Sequence, residues 1–171
     1  MILLSDLRAK QALYSQYGDS CSLLKAALSD GTSANVLYRV QAALARWHLT
    51  PLALLAHWLN KVLNGCVIGV RARFGPGFVL IHPVGVVINS AVRGGRNVWL
   101  ESGVVIGDNR GRCPVLADDI FVGSGAKIVG GVALASGARV GANAVVLRDV
   151  AQGVTVVGVP ARPVVKESQP I

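Results

Sequence analysis

Residues 116 to 150, LADDIFVGSGAKIVGGVALASGARVGANAVVLRDV, place an aliphatic side chain at every sixth position: Leu116, Val122, Ile128, Leu134, Val140 and Val146. The same period extends towards the N-terminus. Ile68, Phe74 and Leu80 precede one interruption, and Ile88, Gly94, Leu100 and Ile106 lie between it and a second. Four residues after these positions stand mostly small or branched side chains, among them Ala72, Val92, Val98, Val104, Ile120, Ala126, Val132, Ala138 and Ala144. Six residues make one short strand and one tight turn. Three such units close a triangular coil whose rungs stack about 4.8 Å apart, like strands of a parallel sheet. The register predicts that Ile88, Ile106, Ile128 and Val146 form one inward column. Glycine follows many of the start positions, at Gly69, Gly75, Gly95, Gly107, Gly123 and Gly141, where the turns are expected to need positive φ. The fold expected over residues 66–171 is therefore mainly β, a parallel β-helix with a C-terminal tail returning through Gly158-Val159-Pro160.

Composition agrees and removes several function classes. With 171 residues, 52% hydrophobic and 15% charged, the chain is neither disordered nor a coiled coil. A formal charge of +8 suits an anionic partner. Arg71, Arg73, Arg93, Arg96, Arg110 and Arg112 are nevertheless scattered singly, without an aromatic platform or a reading helix, so no nucleic-acid partner is expected. Cys21, Cys66 and Cys113 form no CxxC pair and accompany no secretory leader, which predicts a reducing, cytoplasmic setting. His82 is the one histidine in the coil region, so a three-ligand metal site is not expected.

Residues 1–65 lack the period and read as a helical region. One segment runs from Asp6 to Leu28 and a second from Asn35 to His48; a third opens with Thr50 as N-cap and Pro51 and closes at Gly65. Leu52, Leu55, Trp58 and Val62 share an apolar face on the third helix, expected to pack on the rest of the protein. Peripheral contact with the inner membrane surface is the minor alternative. His48 and His57 lie among apolar residues and read as structural.

The two interruptions hold the chemistry. Leu80 to Ile88 takes eight residues and contains Ile81-His82-Pro83-Val84-Gly85; Ile106 to Leu116 takes ten and contains residues 107–115. Extra residues cannot enter a solenoid core, so they protrude. His82 leaves the aliphatic columns there, and imidazole is the side chain best suited to exchange a proton with a hydroxyl near neutral pH. Corner counting stacks Glu101-Ser102-Gly103, Gly123-Ser124-Gly125 and Gly141-Ala142-Asn143 on the His82 corner, an open trough of small residues. The loop at 107–115 leaves from a different corner. Asp108 and Asn109 are candidates for contact with an acceptor, Arg112 for an anionic group, and Cys113 for packing or shaping the substrate site, since nothing nearby activates its thiol.

LIHPVGVVINSAV at 80–92, IFVGSGAKIVGG at 120–131, VGANAVVLRDV at 140–150 and VVGVPARPV at 156–164 resemble the left-handed β-helix hexapeptide acyltransferases. The resemblance is strongest to the serine O-acetyltransferases and the colanic-acid-type exopolysaccharide O-acetyltransferases. It implies acetyl-CoA as donor, a homotrimer with sites between subunits, and His82 as general base. Ser102, Ser124, Gly125, Ala142 and Asn143 would then line the CoA arm; Lys127, Arg139, Arg148 and Arg162 are candidates for its phosphates, with solvated surface charge the alternative reading for some of them.

Three positions depart from the serine enzymes. These carry Asp directly before the histidine, where this chain has Ile81, an acidic residue fifteen positions upstream, where it has Val67, and a second His, where it has Cys113. The colanic-acid type shares that Cys and the VVIN run at 86–89. The expected acceptor is accordingly a carbohydrate hydroxyl of an exopolysaccharide precursor, with serine as the alternative and a non-catalytic hexapeptide scaffold as the third reading. Glu101, one rung above His82, is the carboxylate expected to orient the ring, unless a backbone carbonyl or a water does so.

Overall fold

A computed structural model describes residues 2–16 and 21–164. Each hexapeptide forms a strand of two or three residues, and strands of successive coils pair in parallel on three faces. The first face stacks Val67–Ile68, Val87–Ile88, Val105–Gly107, Lys127–Val129 and Val145–Val146. The second stacks Arg73–Phe74, Arg93–Gly94, Val115–Leu116 and Ala133–Leu134. The third stacks Val79–Leu80, Val98–Leu100, Ile120–Val122, Arg139–Val140 and Thr155–Val157, and the tail returns as an antiparallel Arg162–Pro163.

The register follows the period. Ile68 pairs with Ile88, Ile88 with Ile106, Ile106 with Ile128, and Ile128 with Val146, and all five are at most 2% exposed. Gly94 interrupts its aliphatic column for a steric reason: a Cβ there would meet the Phe74 ring at 2.3 Å. That ring stacks on Phe78 with centroids 4.2 Å apart, and Tyr38 meets Phe78 edge-on at 5.3 Å, plugging the first coil.

The glycines after the aliphatic positions do not carry positive φ, contrary to expectation. They keep rungs close: a Cβ at Gly69, Gly75, Gly95, Gly123 or Gly141 would come within 2.2–2.8 Å of the adjacent rung. Left-handed backbone falls later in each turn, for example at Gly85, Gly103, Gly125 and Asn143, which stack on one corner.

Four helices precede the coils: α1 (Ile2–Gln16), α2 (Leu23–Leu28), α3 (Thr32–Arg46) and α4 (Thr50–Asn64). The segment expected from Asp6 to Leu28 is thus two helices, and part of it, residues 17–20, lies outside the described residues. The segment expected from Asn35 to His48 is α3, which starts at Thr32 and stops before His48, whose φ is 59°. Thr50 is the first helical residue of α4, not its cap; Leu49 occupies that place without a side-chain bond, and Gly65 ends the helix at φ 59°.

The apolar face of α4 does not pack as expected. Leu52, Leu55, Trp58 and Val62 are 50–58% exposed, whereas Ala53, Ala56 and Asn60 are buried. Small side chains let α4 approach α3 closely, and the Asn60 amide donates to the Ala34 carbonyl at 3.1 Å, so the polar-and-small face wins. No described helix is long and apolar enough to cross a membrane.

The helices have a definite task on the coil. A solenoid's first rung leaves backbone groups without a neighbouring strand, and α3 supplies them with side chains. Asn35 donates to the Phe78 carbonyl and accepts from Leu80 N at 3.0 Å; Tyr38 accepts from Phe74 N at 3.0 Å; Gln41 donates to the Ile68 carbonyl at 3.0 Å. Arg39 donates to the Phe74 and Gly75 carbonyls at 2.8 and 2.7 Å. Its guanidinium also holds both carboxylate oxygens of Asp6, at 2.7 and 2.9 Å, and Asp6 in turn accepts from Gly77 and Phe78 N.

Where the helices hand over to the coil, Cys66 is fully buried, and burial pushes its thiol up to about 12 from 9.0. At neutral pH folded and unfolded chains both keep that proton, so stability is unaffected. Above pH 9 the unfolded chain loses it first and is favoured, at about 1.4 kcal/mol per pH unit until the folded thiol also ionises near 12. Between pH 8 and 10 the wild type should lose about 1.4 kcal/mol relative to Cys66→Ala, read from urea denaturation midpoints at the two pH values. Parallel pH dependence in both proteins would refute this.

Candidate active site

The eight-residue step raises His82 from the coil. Ile81 still belongs to the sheet: its N–H donates to the Leu100 carbonyl at 2.9 Å, and its side chain is buried with Val79 and with Leu13 of α1. The chain then leaves the coil, and His82 is 52% exposed. It returns through the Pro83 carbonyl, which accepts from Val86 N at 3.1 Å, and through Gly85 N, which donates to the Gly65 carbonyl at 3.0 Å. Ile81 is therefore aliphatic because α1 packs on it.

The carboxylate beside the ring is Asp30, in the turn between α2 and α3. Its Oδ2 lies 3.5 Å from His82 Nδ1. Among the described residues no hydrogen bond or ion pair joins Glu101 to His82, so the orienting contact expected from that rung is absent. The Asp30 turn is closely held. Gly31 has φ 78°, and a Cβ there would meet the Leu80 carbonyl oxygen at 2.0 Å, so the turn lies directly on the strand end that precedes His82. The Lys10 amine donates to the Asp30 carbonyl and to Thr32 Oγ1, which donates to the Ala26 carbonyl at 2.8 Å. Burial brings the Lys10 amine down to about 8, with the charge of Asp30 opposing that shift. Asp30, Gly31, Ser33, Asn64, His82 and Val84 are among the residues lining an open hollow of about 580 Å³. The sequence signal for this arrangement is the Asp-Gly pair at 30–31 between two helical segments, a turn former that carries an acid.

Next to His82, the trough is formed in the predicted order. Gly103 N donates to the Val84 carbonyl at 2.9 Å, Gly125 N to Ser102 at 2.7 Å, and Asn143 N to Ser124 at 2.8 Å. Ser102, Ser124 and Gly125 are partly exposed, and Ala142 and Asn143 exposed, so the groove is open along three rungs. Of the basic candidates, the Lys127 amine is bonded to the Gly103 carbonyl at 2.7 Å, and Arg139 stacks over Phe121 at 4.7 Å. Arg162 pairs with Val157, which follows on Gly141, and so stands at the far end of the trough; with Arg148 it lines a separate hollow of about 230 Å³.

The loop at 107–115 lies between the first and second faces, whereas His82 lies between the third and first. It is a tight hairpin: Asn109 and Arg112 exchange backbone hydrogen bonds at 3.0 and 3.1 Å. Both oxygens of Asp108 are engaged, by Asn89 Nδ2 at 3.2 Å and Gly111 N at 3.1 Å. Asn109 and Arg112 border a groove of about 510 Å³ over Gly130 and Gly131, and Cys113 packs against the core. Burial, with Asp108 nearby, pushes the Cys113 thiol up, so it is no reactive thiolate. The fold thus gathers His82, Asp30 and the trough, and leaves Asp108, Asn109, Arg112 and Cys113 on another edge.

No family model matches the chain. Individual proteins do. It is 37% identical over 136 residues to the serine acetyltransferase of Synechococcus elongatus, covering 77% of this chain and 56% of that one. With the serine acetyltransferase of Helicobacter pylori J99 it shares 34% over 144 residues, 82% of this chain and 84% of that one. A soybean serine acetyltransferase in complex with serine superposes with a TM-score of 0.84 at 33% identity, over 95% of this chain and 68% of that one. A serine acetyltransferase in complex with CoA superposes at 0.87 with 27% identity, over 95% and 68%. The 144 residues aligned with the Helicobacter protein exceed what the coils alone contain, so the likeness takes in helices as well as hexapeptides, and the chain belongs to the serine acetyltransferase family.

Proposed function

We propose that the protein moves the acetyl group of acetyl-CoA to the hydroxyl of serine, with His82 as general base. The observation that carries this reading is the position of His82, lifted out of the coil at the head of an open trough of small residues. An extended thiol arm lying on Ser102, Ser124, Gly125, Ala142 and Asn143 would bring its thioester to the ring, with Arg162 towards the nucleotide end. His82 Nε2 takes the hydroxyl proton, the oxygen attacks the thioester carbonyl, and the tetrahedral adduct expels the CoA sulfur, which receives the proton from the imidazolium. O-acetylserine and CoA leave.

Serine is preferred to the carbohydrate acceptor read from the sequence. The relatives are serine acetyltransferases, and one neighbour holds serine. Physical reasons also weaken the sugar reading: Ile81 is aliphatic because it packs against α1, and Cys113 because it packs on the core, so neither reports on the acceptor. The reading includes a homotrimer, since the 107–115 loop of the same chain stands on a different edge and meets His82 only from a neighbouring subunit.

Release of free thiol from acetyl-CoA, with serine and then with sugar acceptors, tests the reading. Turnover with serine is expected, and thiol release with sugars alone would overturn it. Ala142→Trp should abolish CoA binding in calorimetry while leaving the fold unchanged, because Ala142 is exposed in the trough and an indole fills it. Undiminished affinity would move the arm elsewhere.

A further inference from the structure

We propose that Asp30 is the positioning residue of His82, a carboxylate supplied by the helical cap in place of the acids that Val67 and Ile81 do not provide. The inference rests on His82 acting as the general base. Asp30 Oδ2 stands 3.5 Å from Nδ1 of the ring, within ion-pair distance; a proton held on Nδ1 of the neutral ring faces that carboxylate and leaves Nε2 as the nitrogen that accepts from the substrate hydroxyl. Contacts of this kind are often long without substrate and shorten when it binds.

Stability does not account for the pair. Asp30 is 80% exposed and His82 52%, and an exposed ion pair contributes between nothing and about 1 kcal/mol. Yet the Asp30 backbone is strongly constrained: Lys10 on its carbonyl, the Gly31 Cα against the Leu80 carbonyl, and Thr32 N donating to Ser29 at 3.3 Å. A turn held this firmly, with its one acid directed at the ring, serves the ring. Among the described residues that line the hollow around His82, Asp30 is the only carboxylate. When the imidazolium forms, Asp30 stabilises its charge and keeps the ring from rotating; the proton stays on the imidazole until it passes to the leaving sulfur.

Steady-state kinetics with serine and acetyl-CoA should separate this role from others. Asp30→Asn is expected to lower kcat roughly 10- to 100-fold, a part of the 10²–10⁴ that a general base supplies, with serine KM and CoA affinity within about twofold. Asp30→Glu should recover part of the loss. In the His82→Ala background Asp30→Asn should cost nothing further, because the group it acts through is gone. Unchanged kcat, an additive loss in that background, or a raised serine KM at normal kcat would overturn the proposal; the last would make Asp30 a site for the acceptor's ammonium. Independently of turnover, ¹⁵N chemical shifts of the neutral His82 ring should report the Nδ1–H tautomer in the wild type and a shift towards Nε2–H in Asp30→Asn. An Nε2–H ring in the wild type would overturn the pairing even if the protein acetylates serine. A protein that does not acetylate serine but shows the tautomer change would instead remove the acceptor and keep the pair.

Discussion

His82→Ala should lose roughly 10²- to 10⁴-fold in kcat with serine while binding CoA as the wild type does. The side chain is half exposed and its charged partner among the described residues, Asp30, is more exposed still, so its removal opens no cavity and strands no buried group. The trough for the CoA arm is built from backbone and from Ser102, Ser124, Gly125, Ala142 and Asn143, none of which depends on the imidazole for its hydrogen bonds. The effect is therefore confined to proton transfer. Paired measurements of initial rates and of CoA affinity by calorimetry decide it. Near-native turnover in His82→Ala would remove both the mechanism and the assignment of the site.

Asp6→Ala should cost about 3–5 kcal/mol of folding stability, the usual consequence of leaving a buried charge without its partner. Asp6 and Arg39 have side chains only 3% and 6% exposed, with Nε to Oδ2 at 2.7 Å. Deleting the carboxylate strands the Arg39 guanidinium and also the N–H groups of Gly77 and Phe78, which donate to Asp6 at 2.9 and 3.1 Å. Replacing both members, as in Asp6→Ala/Arg39→Met, should recover part of the loss, since no charge is then buried alone. Urea unfolding of the three proteins measures this. A loss below about 1 kcal/mol in Asp6→Ala would mean that α1 is not clamped to the first coil.

The coil was legible because its core is made by near neighbours in sequence. Every inward position meets its own equivalent one turn later, so the requirement for an aliphatic side chain repeats with the hexapeptide and prints a period that resumes after each interruption: Ile88, Ile106, Ile128 and Val146 could be aligned from spacing alone. His82 was legible for the same reason, as the residue that an eight-residue step has to push outward.

Contacts between the helical cap and the coil carry no such period. Asp6 meets Arg39 and then Gly77 across 71 residues, and Asp30 meets His82 across a separation set only by how α3 docks on the first rung. Even the face of α4 was decided by docking, since Ala53, Ala56 and Asn60 fit against α3 where Leu52, Leu55 and Trp58 do not. Sequence by itself determined the column of aliphatic side chains, the corner trough and the histidine beside it, because these follow from local repetition. Tertiary structure alone decided which carboxylate stands at that histidine, because a single polar contact between distant segments leaves no pattern along the chain and is set by the packing of one helix layer on one open strand edge.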